Sequence, residues 1–458
     1  MLTLCVRNVL FRSFPSQSSS DAVQLTVRPC SSSRAQEEDL HQTRTLLRLC
    51  VDRYFLSPGE ANMELFRRGM SCRYGPLGTE LRRNLLEQWW HSVSRTTAQV
   101  FGINTLSSSS GDTATGAPRK LNIVENEHIK QILEEKEVSK DLLIQKIQVL
   151  LQRSPTGRTS CLQGALEQFV PSLELVNRKL PFGLAETGLC FQPSGGSGCP
   201  GEVTRASLVW FCSARASSQW LDHWTRQRLK WWRKFALSPS DFSSSDVPEE
   251  ELEKAASRGV RIIYSFPWGR RRWRRCGTEE TLSCCGHTEE IAPMCSFVFQ
   301  CRDGRKSVPH VISVTANVDR GALAFLSNSL QTLKKEDSRQ RLQQRKVLKL
   351  HPVLAPVKVA LDIGRGASVE LRQVCEGLLK EFMEAKISTW PGYLETSAGQ
   401  LNTKYDEMGV LFTVVVNENT LESGLLQVRS RDTTVRETMH ISEIKKFLSR
   451  YITAADNV

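Results

Sequence analysis

No apolar stretch in this sequence approaches the roughly 20 residues that an α-helix needs to cross a bilayer. A helical membrane span is excluded, and no membrane partner is expected. The 14 cysteines form no Cys-x-x-Cys pair, which removes the common zinc-ribbon and thioredoxin-type sites. Several sit inside apolar patterns, as reduced core thiols do. Cys276, Cys284, Cys285, Cys295 and Cys301 gather near His287, but their spacing fits no common zinc pattern. No metal and no cofactor are therefore expected. Acid is scarce over residues 1–36, where Asp21 stands against Arg7, Arg12, Arg28 and Arg34 among many serines. With no long apolar centre, this is not a secretory signal. The composition is that of a mitochondrial transit peptide, which places the mature chain in the matrix, where the large polyanions are the nucleic acids of the nucleoid.

What is present is ordinary for a soluble chain in all but charge. At 458 residues, 40% hydrophobic and 24% charged, two or three domains with their own cores are expected. The net charge of +12 favours a polyanionic partner, nucleic acid before an anionic surface.

"YGPLGTELRRNLLEQWWHSV" (74–93) reads as a turn and then a helix. Leu77, Leu81, Leu85 and Trp89 recur every four residues and form its apolar stripe, with Arg82 and Arg83 facing elsewhere. "SSSSGDTATGAPR" (107–119) is a linker by composition. Residues 122–178 read as all-helical, in three helices with Ser139 as an N-cap. Their generous apolar face and lack of catalytic residue types suit burial against a second copy, so a homodimer is expected. "LPFGLAETGLCFQPS" and "RASLVWF" are strand-like.

The helix "QWLDHWTRQRLKWWRKFAL" (219–237) interleaves Trp220, Trp224, Trp231 and Phe235 with Arg226, Arg228, Lys230, Arg233 and Lys234. Interleaved aromatics and bases suit a nucleic-acid face; tryptophans that pack inward with bases simply solvating the outside are the other reading, and both stay open because the two faces of a helix are different residues. A second basic run, "RLQQRKVLK" (341–349), adds Arg345, Lys346 and Lys349 as candidate DNA contacts. "RRRWRRCG" (270–277) reads as a basic loop. No recognition-helix or zinc-finger pattern is present, so any contact with double-stranded or primer–template DNA is expected to be electrostatic. The last 108 residues, from 351, alternate strands and helices around "VLFTVVV" and form a separable α/β unit. In them "VLFTVVVNENTLESG" and "LLQVRSRDT" read as strands joined by a turn.

These segments resemble the class II aminoacyl-tRNA synthetases, glycyl-tRNA synthetase in particular. "YGPLGTELRRNLLEQWW" is similar to motif 1, "LPFGLAETGLCFQP" to motif 2 and "VISVTANVDRGALAFL" to motif 3. "VLKLHPVLAPVKVAL" and "GLLQVRSRDT" resemble the anticodon-binding domain of that class. The resemblance implies an α/β (α+β) fold: an antiparallel-sheet synthetase-like domain over 37–350 with a helical insertion at 122–178, and an anticodon-binding-like domain over 351–458. It also shows what is missing. Gln192 stands where motif 2 carries the arginine that grips the ATP α-phosphate, and Ser194 where it carries an acid. Thr315 and Asn317 replace motif 3 glycines, while Arg320 remains and is expected to pair with Asp319 or a nearby carboxylate. A neutral amide cannot supply a bidentate, charge-assisted grip on phosphate, so no catalytic residues are assigned.

"QWLDHWTRQRLKWWRKFALSPSDFSSSD", "YSFPWG", "RDGRK" and "YDEMGVLFTVVV" bring the chain closer to one branch of this lineage, the accessory subunits of mitochondrial DNA polymerases. The match is interrupted between Arg270 and Cys301. It implies a non-catalytic, homodimeric processivity factor that binds the polymerase catalytic subunit through its C-terminal domain and duplex DNA through basic surface. The alternatives are a mitochondrial glycyl-tRNA synthetase-like enzyme and a tRNA-binding module.

Overall fold

The computed structural model describes residues 31–457 apart from 61–62, 64–65, 67–72, 96–98, 107, 110–120, 123–125, 135–139, 154–155, 193–200, 253–255, 268–279, 286–298, 301–305, 308, 337–341, 365–367 and 395–400. The transit-peptide segment up to residue 30, the basic loop 270–277, Ser139 and Ser194 lie outside the described residues. So do the side chains of the Cys276–Cys301 group and of Gln192. The fold is mixed α/β, with several sheets.

The helix Pro76–Ser94 starts where Gly75 is extended and Pro76 takes the first turn, a position that needs no backbone N–H. Leu77, Leu81, Leu85, Trp89 and Val93 are buried, so the four-residue stripe is the core face. It packs on a seven-stranded sheet whose spatial order is Val100–Gly102, Phe182–Gln192, Gly201–Cys212, His310–Asn317, Glu280–Cys285, Ala256–Tyr264 and Phe242–Asp246. The first pair is parallel and the rest antiparallel.

Strand alternation divides this sheet into two faces. Ala185, Ala206, Leu208, Trp210, Ile312, Val314 and Ala316 lie in the main core with the helices Pro76–Ser94, Ser217–Lys234 and Val318–Ser329. Trp232 stacks on Phe325 at 5.6 Å, and a Cβ on Gly321 would fall 2.5 Å from the Trp232 ring, so only glycine lets these helices meet. The alternate residues face the other way. At one end Leu184, Val209, Phe211 and Val311 form a second core; at the other stand Glu186, Ser207 and Thr315.

The second core corrects the expectation for 122–178. The segment "CLQGALEQFVPSLELVNRKL" breaks at Gln168 into Leu162–Glu167 and Phe169–Leu175. Ala165, Leu166, Phe169 and Leu173 are buried against Phe182 and Phe211, with Phe169 and Phe211 centroids 4.6 Å apart. These two helices bury their apolar face within the domain, not against a second copy. Nor is the segment all-helical: Leu121–Asn122 and Thr156–Gly157 join Ser108–Ser109 in a small sheet. The helices Asn126–Glu134 and Lys140–Arg153 remain as a hairpin.

The C-terminal unit has a five-stranded mixed sheet in the order Thr389–Trp390, Val359–Ile363, Phe412–Val416, Leu425–Ser430 and Arg436–His440. Ser368 caps the helix Val369–Glu384 by accepting from the Leu371 N–H. Leu401–Met408 stops at Gly409, whose φ of +76° suits glycine. Two elements differ from the sequence expectation. The stretch after "FTVVV" is not strand but a helix, Glu418–Ser423, capped by Asn417. Arg436–His440 is a largely exposed edge strand whose polar composition hides it.

The two units share one core cluster. Arg431, 3% exposed, donates to the carbonyls of Leu348, Leu350 and Gly409. Lys358 Nζ donates to those of Pro352, Val353 and Ala355. Burial, reinforced by the nearby Arg431 charge, pushes the Lys358 ammonium down to about 7.

Candidate functional site

The polar end of the seven-stranded sheet is where the motif 2 and motif 3 resemblance places nucleotide chemistry. Glu186 on Phe182–Gln192 lies opposite Ser207, and Ser207 opposite Thr315, in one cross-sheet row. Glu186 is 2% exposed although it carries a carboxylate. A buried carboxylate needs partners, and these come from outside the sheet. Arg158 Nη1 donates to Glu186 Oε1 at 2.7 Å and to Thr105 Oγ1 at 2.9 Å. The Thr105 N–H reaches the same carboxylate oxygen at 3.0 Å. Arg158 Nε donates to the Leu189 carbonyl at 2.9 Å, and the Phe191 N–H donates to the Arg158 carbonyl at 2.8 Å. The segment carrying Arg158 therefore lies along the edge of the motif 2 strand. A Cβ on Gly188 would sit 1.7 Å from Arg158 Nη2, so the guanidinium occupies the space above this strand.

Motif 3 has changed its use as well. Asn317 caps the helix Val318–Ser329, its side chain accepting from the Arg320 N–H at 3.1 Å. The Asp319 carboxylate accepts from Tyr74 Oη at 2.8 Å and the Thr204 N–H at 2.7 Å, with Arg82 Nε at 3.3 Å. The partner found for Asp319 is thus the motif 1 arginine, Arg82. Nothing in the sequence ranked Arg158 or Thr105 as functional; the one available signal was an acid, Glu186, inside an otherwise apolar strand.

The basic candidates separate by burial. Arg226 and Lys230 are exposed on the helix Ser217–Lys234. Arg233 is exposed but tied to the Phe242 carbonyl at 2.7 Å, and Lys234 lies 3.7 Å from Asp456. Arg228 must be withdrawn as a DNA contact. It is 2% exposed, its guanidinium 4.4 Å from the Trp231 ring and 5.7 Å from that of Trp89, and it donates to Ser92 Oγ at 2.8 Å. The aromatic stripe already implied this, because position 228 falls on the same helical face as Trp224 and Trp231.

Arg345, Lys346 and Lys349 lie on or just after the strand Leu342–Leu348 and are half-buried. Arg345 is bound to the buried Asp406, Nε to Oδ2 at 2.7 Å, which makes it structural. Lys346 and Lys349 keep partial access to solvent.

Two apolar surfaces complete the picture. The hairpin leaves Leu133 62% and Leu151 40% exposed, around a cavity of about 80 Å³ lined also by Ile129, Ile132, Ile147 and Leu150. On the C-terminal unit, Met439, Phe447, Tyr451 and Ala454 line a groove of about 510 Å³ rimmed by Glu443, Lys446 and Arg450.

Comparison with known proteins gives four results. Residues 353–451 match the anticodon binding domain family. The chain is 49% identical over 430 residues to the mouse (Mus musculus) DNA polymerase subunit gamma-2, covering 90% of this chain and 91% of that protein. It is 47% identical over 440 residues to the mitochondrial DNA polymerase subunit gamma-2 of Xenopus laevis, covering 93% and 89%. A more distant similarity, 27% identity over 318 residues, links it to the glycine–tRNA ligase of Thermus thermophilus, with 64% of this chain and 62% of that one covered.

Proposed function

Since this chain belongs to the DNA polymerase subunit gamma-2 family, we propose that it is the non-catalytic accessory subunit of a mitochondrial DNA polymerase, raising the catalytic subunit's hold on DNA and thereby its processivity. The observation that carries the non-catalytic part is the Arg158–Glu186 pair at 2.7 Å. A synthetase needs that face of the sheet open for ATP and an amino acid, with cationic groups aimed at phosphate. Here the cation is turned onto the protein's own carboxylate. The synthetase-like alternative is not favoured. The expected result is no glycine-dependent ATP–pyrophosphate exchange above background; exchange at any reproducible rate would overturn this reading.

The homodimer is assigned to the Asn126–Glu134 and Lys140–Arg153 hairpin, and polymerase contact to the C-terminal unit with its Met439–Tyr451 groove. DNA contact is assigned to exposed bases, Arg226 and Lys230 first, with Lys346 and Lys349 as secondary positions and the matrix nucleoid as the site of action. Phosphate contacts carry no base information but do release counterions. Substituting Arg226→Ala and Lys230→Ala should weaken duplex binding severalfold at low salt. The slope of log K against log salt should become shallower by about 0.9 for each phosphate that is no longer neutralised. Binding to the polymerase catalytic subunit should be unchanged. An unaltered slope, or a strong preference for one duplex sequence, would remove these residues from the DNA surface. Primer extension by the catalytic subunit across the same salt series tests the function itself: added protein should lengthen products.

A further inference from the structure

Cys161 and Cys190 come from opposite ends of the second-core layer and meet side by side, with Sγ atoms 3.7 Å apart. Cys161 precedes the helix Leu162–Glu167, and Cys190 lies near the end of the strand Phe182–Gln192. Both are essentially closed to solvent, at 1% and 0% exposure, and Val203 packs against them.

Other buried cysteines of the chain, such as Cys50, Cys212 and Cys375, are thiols as well. Burial pushes the Cys375 thiol up to about 12, which makes it inert. Cys190 differs in its surroundings. The sulfur–sulfur hydrogen bond with Cys161, in which either atom can donate, favours the thiolate on Cys190, and the Arg205 and Arg158 guanidiniums act in the same direction against burial. The same hydrogen bond and burial hold Cys161 in its thiol form. One nucleophilic sulfur beside one protonated partner is the arrangement of an attacking and a resolving cysteine.

We propose that Cys161 and Cys190 are a redox modification site, closing to a reversible disulfide that staples the Arg158-bearing segment to the motif 2 strand. Sulfurs already in contact need only small side-chain rotations to reach bonding distance. Near-complete burial excludes a bulky disulfide oxidant, so the oxidant is a small one, hydrogen peroxide, which reaches the pair when the layer opens locally. The Cys190 thiolate attacks one peroxide oxygen and the O–O bond breaks. The departing hydroxide takes up the proton that Cys190 released and leaves as water, with Cys190 now a sulfenic acid. Cys161 sulfur then attacks Cys190 sulfur. The S–S bond forms, the S–O bond breaks, and the Cys161 proton leaves with the hydroxide as a second water. The sulfur pair is oxidised by two electrons and the peroxide reduced by two. The disulfide would close the loop spanning the helices Leu162–Glu167 and Phe169–Leu175, which restricts the unfolded chain and should stabilise that layer.

The test uses the full chain treated with hydrogen peroxide, quenched, alkylated under denaturing conditions and mapped as peptides. A cross-linked peptide pair joining Cys161 to Cys190 is expected, lighter by about 2 Da than the two thiol peptides and separated by dithiothreitol. The apparent Tm of the oxidised protein should rise and return on reduction. Single Cys161→Ser and Cys190→Ser variants should lose both effects. The wild-type map is decisive even if a variant folds poorly. Recovery of both cysteines as alkylated thiols, irreversible oxidation of Cys190, or pairing with a different cysteine would each overturn the proposal. A cross-link that leaves Tm unchanged would overturn the stapling role.

Discussion

An Asp406→Ala variant is expected to lose about 3–5 kcal/mol of stability, enough to unfold the C-terminal unit at moderate temperature. Asp406 is 1% exposed at the end of the helix Leu401–Met408. Its carboxylate accepts both terminal nitrogens of Arg429, at 2.9 and 3.0 Å, and Arg345 Nε at 2.7 Å. Arg429 is itself 8% exposed. Removing the carboxylate leaves one guanidinium buried without a counter-charge and a second half-buried beside it, and that desolvation is the source of the loss. Arg345→Ala should cost less, because the Asp406–Arg429 pair survives and Arg345 keeps 23% of its side chain in solvent. Arg226→Ala, on the exposed face, should change stability by no more than about 0.5 kcal/mol. Circular dichroism during urea and thermal unfolding separates the three. An Asp406→Ala protein as stable as its parent would deny this ion cluster a structural role and make Arg345 a candidate DNA contact again.

Charging the hairpin should give the second large effect. Leu133→Asp with Leu151→Asp is expected to turn the proposed homodimer into a monomer, weakening self-association by roughly 1,000-fold, about 4 kcal/mol, if each leucine is a buried interface anchor. These residues are 62% and 40% exposed within one chain. The monomer therefore loses little when they change, and the cost falls on the dimer, where each aspartate would be buried unpaired. Sedimentation equilibrium reads the mass, and circular dichroism checks that helix content is kept. A doubly substituted protein that still sediments as a dimer would place the seam elsewhere, with the Trp89–Trp90 end of the motif 1 helix the next position to test.

Periodicity made much of the scaffold legible. The stripe Leu77, Leu81, Leu85, Trp89 is the buried face of its helix because helical neighbours four apart share a side. The Ser368 cap and the Gly409 stop each satisfy a local need of the helix end that no distant residue alters. The layer formed by Leu162–Leu175 was not legible. An amphipathic helix shows that it has a face to bury but does not name what covers it, and the sheet residues Phe182 and Phe211 cover this one.

The loss of synthetase side chains at Gln192, Thr315 and Asn317 and the basic balance of +12 were properties of the chain itself. They depend only on which residue occupies a position. Which charges remain available depends instead on what packs around them. Arg228 lies among tryptophans, Arg345 on Asp406, and Arg158 on Glu186, which is 28 residues away in sequence. Cys161 and Cys190 meet across 29 residues by way of the intervening helices. Burial and pairing of charge arise from contacts between distant segments, so the tertiary structure alone decided which arginines are held inside the protein and which stay on its surface.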